Sequence, residues 1–241
     1  MEIFAHRGYS AKYPENTLAA FKAAAKLPIA GVELDVHLTK DQQVVVIHDE
    51  KINRTSNGKG FVKDLTLQEL RKFDFGSWFS DEFRGEKIPT LAEVLEEFKY
   101  KDHKINIELK SNIFVYAGLE ELVLQEVEKF GLKDRVIISS FDHEAIKRMA
   151  ELDPDIEIAP LFSHSIFNIV PYCSTIPADA LHVSYYAVMR RPVLEAIQAG
   201  MPVRVYTINK TEQAEILQNL GVDGFFTDHP EEMMKFLYKR N

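Results

Sequence analysis

The chain lacks most of what marks a secreted or membrane-spanning protein. It has one cysteine, Cys173, in 241 residues, which excludes an internal disulfide and is typical of a reducing compartment. No run approaches the ~18 consecutive apolar residues of a membrane span. The polar residue His6 also comes too early for a removable secretory leader. We therefore expect a cytoplasmic protein without stable membrane insertion.

The chain also lacks an excess of positive charge. The chain has 29 Lys+Arg against 37 Asp+Glu, a net charge of −8, which argues against nucleic acid or an anionic membrane surface as the main partner. Hydrophobic residues make up 46% of the chain, enough for a sizeable core. The length suits a single α/β barrel, which takes about 250 residues.

Strand patterns alternate with helix patterns along the chain, which predicts a parallel sheet. If residues 43–48 extend the second strand, eight strand positions result, the number that closes a (β/α)8 TIM barrel. The predicted strands are residues 3–6, 31–38 with 43–48, 104–109, 135–139, 156–161, 180–183, 203–207 and 224–227. The predicted helices are residues 16–27, 90–98, 119–130, 143–152, 192–199 and 211–220.

The competing architecture is an open doubly wound sheet. Its usual Gly-rich loop does not follow the first strand, where the chain reads Ala5-His6-Arg7-Gly8-Tyr9. Residues 49–89 interrupt the alternation with turn residues and then aromatic ones, and a loop this long is usually functional. We predict a single TIM-barrel domain over residues 1–241, with a small insertion at about residues 50–89.

Three carboxylates occupy strand positions where apolar residues are expected. Residues two apart in a strand share a face, so Glu33 and Asp35 face the barrel axis, as does Glu108 on a later strand. Unpaired, they would repel one another strongly. A divalent cation relieves that repulsion, and oxygen-only ligation favours Mg²⁺ or Ca²⁺. The alternative is a structural ion network in which Arg7 and Lys110 neutralise these carboxylates.

Two histidines accompany the carboxylate strands. His6 and His48 end apolar runs, at the strand end where barrel enzymes place their chemistry. Histidine titrates near neutrality, so one ring can accept a proton while the other donates one. Arg7 offers a planar fork for a phosphate or carboxylate, and Lys110 is either a phosphate contact or the counter-ion of Glu108.

Other polar and aromatic side chains carry less weight. Most of the remaining histidines fall at predicted helix starts or loop ends, and we interpret them as surface or capping residues; they are His103, His143, His164, His182 and His229. Tyr206 shares a face with Arg204 and can close the mouth of the barrel. Cys173 lacks a neighbouring histidine or basic helix start in the sequence, which makes it a poor candidate nucleophile.

A series of short motifs runs through the whole chain in a specific order and spacing. They are His6-Arg7-Gly8, Pro14-Glu15-Asn16-Thr17, Glu33-Leu34-Asp35-Val36, Val46-Ile47-His48-Asp49, Arg54-Thr55-Ser56-Asn57-Gly58, Ile88-Pro89-Thr90-Leu91, Ile107-Glu108-Leu109-Lys110, Tyr206-Thr207-Ile208-Asn209 and Thr227-Asp228-His229-Pro230. Taken together, this series resembles the glycerophosphodiester phosphodiesterase family.

The resemblance implies a TIM barrel with a short insertion after the second strand, a bound Mg²⁺ or Ca²⁺, and hydrolysis of glycerophosphodiesters to glycerol 3-phosphate and an alcohol. By position, it implies roles for eight residues and a supporting role for Glu15. They are the metal ligands Glu33, Asp35 and Glu108, the acid–base pair His6 and His48, the phosphate contacts Arg7 and Lys110, and Tyr206, which packs on the glycerol where family members often have Trp.

Two other functions remain open at this point. A related phospholipase D-like barrel acting on lysophospholipids or sphingomyelin would share the metal site but need an apolar surface for the lipid chain. A catalytically silent metal-binding barrel would need neither His6 nor His48. Turnover of a generic phosphodiester separates an enzyme from a silent barrel, and a comparison of glycerophosphocholine with a lysolipid separates the two enzymes.

Overall fold

Strands and helices alternate along residues 1–238, the part of the chain that the computed structural model describes. The strands are β1 (Glu2–Ala5), β2 (Gly31–Leu38), β3 (Val44–Val46), β4 (Lys104–Leu109), β5 (Val136–Ser140), β6 (Glu157–Phe162), β7 (Leu181–Ser184), β8 (Val203–Tyr206) and β9 (Gly224–Thr227). The helices are α1 (Leu18–Ala24), α2 (Leu67–Leu70), α3 (Leu91–Phe98), α4 (Leu119–Phe130), α5 (His143–Leu152), α6 (Ile169–Cys173), α7 (Tyr185–Val188), α8 (Arg191–Gln198), α9 (Thr211–Leu220) and α10 (Pro230–Tyr238).

Eight parallel strands form a closed barrel. The order around it is β1, β2, β4, β5, β6, β7, β8 and β9, and pairing of β1 with both β2 and β9 closes the ring. The predicted (β/α)8 TIM barrel is confirmed. None of the helices within residues 1–238 is both long and apolar enough to cross a membrane.

The run after β2 is not a continuation of that strand. The chain turns at residues 39–42, where the Gln43 amide donates to Thr39 Oγ1 at 2.9 Å. β3 then pairs antiparallel with the end of β2, with Val46 opposite Val36. β3 therefore lies outside the barrel ring, and its direction brings His48, two residues beyond the end of β3, back alongside β2.

Alternation along each strand separates two environments. Val32, Leu34 and Val36 of β2 face outward and pack with Phe21 of α1 and Phe98 of α3. The barrel axis holds a smaller apolar cluster of Phe4, Ile137, Ala159, Ala180 and Phe226. Because one face of each strand is committed to the helices, polar side chains of opposite parity must point into the barrel.

The amino-terminal end of the barrel is closed by an ion network. Arg204 of β8 donates to Glu157 at 2.7 Å and to Glu2 at 3.2 Å, and Lys104 donates to Glu2 at 2.7 Å. These pairs, together with the apolar cluster above them, fill that end of the interior. The opposite, carboxyl-terminal end is left for the site.

The segment between β3 and α3 has an apolar cluster of its own. Buried side chains on both sides of a Gly-rich stretch pack together; they are Val45, Ile47, Ile52, Val62, Leu70, Phe75 and Ile88. The segment is tied back to the barrel by the Val46 amide, which donates to the Pro89 carbonyl at 2.9 Å. The segment therefore returns to the barrel beside β3, the strand that precedes His48.

Candidate active site

Three carboxylates lie together on β2 and β4. Glu33 and Asp35 lie two residues apart on β2, and Asp35 is in register with Glu108 of β4. One oxygen atom from each carboxylate lies within 4.8 Å of the others. Glu33 is 4% and Asp35 is 1% exposed, so water screens their mutual repulsion poorly.

The pKa values of these three carboxyls are shifted in different directions by their surroundings. Burial, together with the charges of Asp35 and Glu108, raises the pKa of Glu33 well above its ordinary value. Burial also raises the pKa of Glu108, although Lys110 partly offsets the effect. Burial acts the same way on Asp35, but Lys110 and Arg7 outweigh it and hold its pKa well below the usual range. The cluster resists carrying three negative charges without a further cation.

The ion-network alternative explains only part of this geometry. Lys110 donates to Glu108 at 2.7 Å, and Arg7 Nε lies 3.6 Å from Asp35 Oδ2. Asp35 Oδ1 is buried without a hydrogen-bond partner among residues 1–238, and Lys110 Nζ is 3.7 Å from it. A compact, oxygen-only donor set with an unpartnered carboxylate oxygen fits a hard divalent cation.

Arg7 is positioned by the turn that follows β1. Its φ is +54°, and the next residue, Gly8, has a φ of +78° with α1 so close that a Cβ would lie 2.8 Å from Ala20. A side chain at residue 8 would therefore both strain the backbone and clash. The turn lets the Arg7 amide donate to Glu33 at 2.8 Å and its guanidinium donate to Glu15 at 2.8 Å.

Asn16 lies just before the first helix. The sequence allows either Asn16 or Thr17 to cap this helix, and the structure has Thr17 as the cap, with α1 beginning at Leu18. Asn16 has a φ of +56° and donates from Nδ2 to Asp35 Oδ2 at 2.8 Å. The residue orients one carboxylate of the acidic cluster instead of lengthening the helix.

His6 is held by a carboxylate from the far end of the chain. Its Nδ1 lies 2.7 Å from Asp228 Oδ1, while its Nε2 lies 4.0 Å from Glu33. Asp228 also accepts from Ser10 at 2.9 Å and from Asn209 at 2.6 Å. Burial raises the pKa of Asp228, but these contacts outweigh that effect and hold the pKa well below its usual range. The carboxylate therefore stays charged beside the ring.

His48 has the same arrangement with its neighbour in sequence. Its Nδ1 lies 2.7 Å from Asp49 Oδ1. Arg54 and His48 outweigh the effect of burial and lower the pKa of Asp49 to about 2. Each candidate catalytic histidine therefore has one ring nitrogen committed to a charged carboxylate, which sets the tautomer and the ring orientation.

The cluster opens into a cavity of about 290 Å³. Six of the eight residues that sequence reasoning assigned to the site line it, and they are His6, Arg7, Glu33, His48, Glu108 and Tyr206. Asp35 and Lys110 lie directly behind this surface, in contact with Glu108 or with each other. Tyr206 packs edge-on against Phe141 with ring centroids 6.0 Å apart, which gives the cavity an aromatic wall.

Sequence reasoning missed or misplaced several residues of this site. It did not pair Asp228 with His6, although Asp228 directly follows β9 at the carboxyl end of the barrel. It placed His182 among surface or capping residues, which is wrong, since His182 is 0% exposed on β7 and lines the cavity. Its position in a predicted strand at an inward-facing parity was the available signal.

The chain is similar to proteins of known family. The model of the glycerophosphoryl diester phosphodiesterase family matches residues 6–232. A glycerophosphodiester phosphodiesterase of Caldanaerobacter subterraneus is 41% identical over 98% of both chains, and one of Bacillus altitudinis is 44% identical over 97% of both.

Solved structures agree with these matches. An Oleispira antarctica phosphodiesterase, solved in complex with the product sn-glycerol-3-phosphate, superposes with a TM-score of 0.89 at 31% identity, covering 99% of this chain and 97% of that one. A glycerophosphodiester phosphodiesterase from Thermotoga maritima superposes with a TM-score of 0.80 at 32% identity, covering 98% of this chain and 97% of that one.

Fold, site and relatives together define the class of this protein, which is a barrel enzyme that hydrolyses phosphoric diesters. Within that class, the chain belongs to the glycerophosphoryl diester phosphodiesterase family, whose model spans nearly all of it. The resemblance inferred from the ordered motifs is thereby confirmed, and a catalytically silent barrel is no longer a competing interpretation.

Proposed function

We propose that this enzyme hydrolyses glycerophosphodiesters to glycerol 3-phosphate and a free alcohol by metal-dependent acid–base catalysis. The observation that carries the proposal is the pairing of both cavity-lining imidazoles with carboxylates, His6 with Asp228 and His48 with Asp49, each at 2.7 Å. The product bound to the Oleispira antarctica relative supports glycerol 3-phosphate as the product here.

In this proposal, Glu33, Asp35 and Glu108 hold a divalent cation, Mg²⁺ or Ca²⁺. The bound ion would supply positive charge to the phosphoryl oxygens and stabilise the charge that builds on them in the transition state. The oxygen-only donor set supports a hard cation over zinc, which favours imidazole or thiolate ligands.

The two histidines would divide the proton transfers. With Nδ1 committed to a carboxylate, each ring offers Nε2 to the substrate. One neutral ring takes the proton of the nucleophile, either a water molecule or the neighbouring hydroxyl of the glycerol, which gives a cyclic phosphate that water then opens to glycerol 3-phosphate. The other ring, protonated, gives its proton to the leaving alcohol oxygen as the phosphorus–oxygen bond breaks.

Arg7 and Lys110 would hold the phosphate. Burial opposes the charge on Lys110, but Glu108 and Asp35 outweigh it and raise the pKa of this ammonium, so Lys110 stays charged. The carboxylates of Asp35 and Glu15 likewise raise the pKa of Arg7 despite its burial. Two cations beside the cavity offset the substrate's negative charge, which favours an anionic phosphodiester over a neutral ester.

The reaction and its metal requirement are tested together. Purified enzyme is incubated with glycerophosphocholine in Mg²⁺, in Ca²⁺ and after EDTA, and released glycerol 3-phosphate is measured. We expect release with at least one cation and none after EDTA. Release that persists at full rate after thorough chelation would contradict metal dependence, and absence of release under every condition would contradict the substrate.

One feature favours a second candidate substrate. Exposed apolar side chains occur on the segments that follow β4, β6 and β7, at the same end of the barrel as the cavity. They are Ile113 at 60%, Val115 at 80%, Phe167 at 86% and Tyr186 at 80% exposure. Such a rim suits the lipid chain of a lysophospholipid or sphingomyelin. Hydrolysis of lysophosphatidylcholine faster than glycerophosphocholine, at concentrations below micelle formation, would favour this alternative.

We also propose a cytoplasmic location and a single catalytic domain with an insertion at about residues 50–89. The unpaired Cys173 supports a reducing compartment. The separate apolar cluster that includes Ile52, Val62 and Phe75 supports an insertion that packs around a small core of its own within the domain. Limited proteolysis tests the second point: cleavage within the insertion that leaves the barrel helices intact would support it.

A further inference from the structure

His182 is a buried histidine at the inner wall of the cavity, and its tautomer can be assigned. Its Nε2 lies 3.3 Å from Nη1 of Arg204. A guanidinium has N–H donors and no acceptor, so Arg204 donates and His182 Nε2 accepts. The ring therefore carries its hydrogen on Nδ1.

Arg204 is fixed in turn from below. It donates to Glu157 at 2.7 Å and to Glu2 at 3.2 Å, which hold the guanidinium in place. Burial and the charge of Arg204 lower the pKa of His182 well below its ordinary value, so the ring stays neutral in the working pH range. The result is a pre-oriented N–H donor at Nδ1.

That donor has no acceptor in the described part of the chain. Nδ1 of His182 is buried and unpartnered, and so are Oδ1 of Asn106 and Oη of Tyr206. All three residues line the same cavity. The other end of the Asn106 amide is committed, since Nδ2 donates to Ser139 at 3.0 Å. Buried polar groups are normally hydrogen-bonded, so three such groups around one cavity indicate a polar ligand.

We propose that His182 and Asn106 form a subsite for the hydroxyl groups of the substrate's glycerol moiety, with Tyr206 as a third contact. A hydroxyl both donates and accepts, which matches one fixed donor in His182 and one free acceptor in Asn106. The inference rests on the proposed function, because it assigns the polyol end of that substrate.

The alternatives for this wall fit less well. A phosphate accepts hydrogen bonds, and the carbonyl of Asn106 would repel it. A quaternary ammonium head such as choline has no hydrogen to give Asn106 and gains nothing from the Nδ1–H of His182. With the polyol inside, the alcohol group extends toward the mouth of the barrel.

The test compares a substrate that has the polyol with one that lacks it. The enzyme and its His182→Phe variant are assayed on glycerophosphocholine and on bis(para-nitrophenyl) phosphate, which has no hydroxyl groups. We expect the substitution to lower kcat/KM for glycerophosphocholine by about tenfold or more and to change the rate on the aryl diester by less than about twofold.

His182→Gln is the matched control. Its amide oxygen can accept from Arg204 while its amide hydrogens face the cavity, so we expect it to retain most of the preference for glycerophosphocholine. Asn106→Ala removes the acceptor from the opposite wall and provides a second route if His182→Phe unfolds. An equal loss on both diesters, or no loss on either, in the folded variants would overturn the subsite.

Binding separates this inference from the proposed reaction. Calorimetry compares glycerol 3-phosphate with inorganic phosphate on the unmodified enzyme and on the two variants that lose a subsite contact. We expect tighter binding of glycerol 3-phosphate to the unmodified enzyme, and a smaller difference in His182→Phe and Asn106→Ala. An enzyme that shows this preference but never turns over glycerophosphocholine would refute the reaction alone, whereas turnover with no such preference would refute the subsite alone.

Discussion

Arg54 and Glu15 are joined by two parallel hydrogen bonds, Nη1 to Oε2 and Nη2 to Oε1, each 2.8 Å long. Arg54 also donates to both oxygens of Asp49, which orients His48, while Glu15 accepts from Arg7. An unbroken series of charge-assisted contacts therefore runs from the proposed phosphate-binding arginine to a proposed acid–base histidine. It also ties the segment after β3 to the turn after β1.

Removal of Arg54 should disturb two parts of the site at once. We expect Arg54→Ala to lower kcat/KM by about 10–100-fold, the usual cost of losing residues that orient a site, because Asp49 and Glu15 each lose one of their two partners. The measurement is steady-state hydrolysis of glycerophosphocholine, with thermal melting to confirm folding. Arg84→Ala, which breaks an exposed ion pair with Asp81 in the same segment, is the control and should be nearly neutral.

The proposed acid–base pair can be tested directly. His6→Ala and His48→Ala should each lower kcat by about a hundredfold or more while melting close to the unmodified enzyme, because neither ring belongs to an apolar cluster. His164→Ala, which removes an exposed histidine, should leave kcat unchanged. If either site variant retained full activity, that histidine would be removed from the mechanism.

Asp228→Asn tests whether the Asp228 carboxylate acts by orienting the His6 ring, and not merely by contributing a negative charge to the protein. An amide at residue 228 no longer fixes the tautomer with hydrogen on Nδ1, and we expect kcat to fall by about a hundredfold or more with little change in KM. Asp155→Asn alters an aspartate that is 88% exposed and serves as the control. A rise in KM with kcat unchanged would instead place Asp228 in substrate binding.

If Glu33 is a metal ligand, Glu33→Gln should have opposite effects on stability in the absence and in the presence of a divalent cation. In EDTA, Glu33→Gln should melt at or above the temperature of the unmodified enzyme, because it removes one of three crowded carboxyls. At Mg²⁺ or Ca²⁺ about 100 times the Kd, the unmodified enzyme should gain about 2.7 kcal/mol of stability, and the variant less. Glu195→Gln, in an exposed pair, should respond to cation like the unmodified enzyme.

Neutral burial of His182 gives stability a predictable pH dependence. Its folded-state pKa lies well below the ordinary value of 6.5, so below that pH the unfolded chain binds a proton that the folded chain does not. The buried neutral His182 therefore has no effect on the free energy of unfolding above pH 6.5, and it lowers that free energy as the pH falls. Urea titrations between about pH 8 and about pH 5 should show that the free energy of unfolding falls less steeply with falling pH in His182→Gln than in the unmodified enzyme. Parallel curves would contradict the assignment.

Much of this molecule is encoded locally in the sequence. A period of two along residues 31–38 places Glu33 and Asp35 on one face whatever surrounds the strand, and repeated strand–helix units leave a closed barrel as the favoured parallel arrangement. The order of the motifs was sufficient to identify the family. These features depend on backbone geometry and on residue type, which can be read from neighbouring residues alone.

Tertiary structure decided what depends on distant parts of the chain meeting. Asp228 reaches His6 across 222 residues because β9 closes the barrel against β1. The chain reversal that makes β3 antiparallel to β2 depends on such a meeting. So does the hydrogen bond from Asn16 to Asp35, since no local pattern reveals that partner. The strand pattern can place His182 facing inward, but only the packing of Arg204 beneath it fixes the partner and the tautomer of its ring. Local periodicity sets which way a side chain points, whereas its partner and its protonation are set by the elements that the fold brings against it.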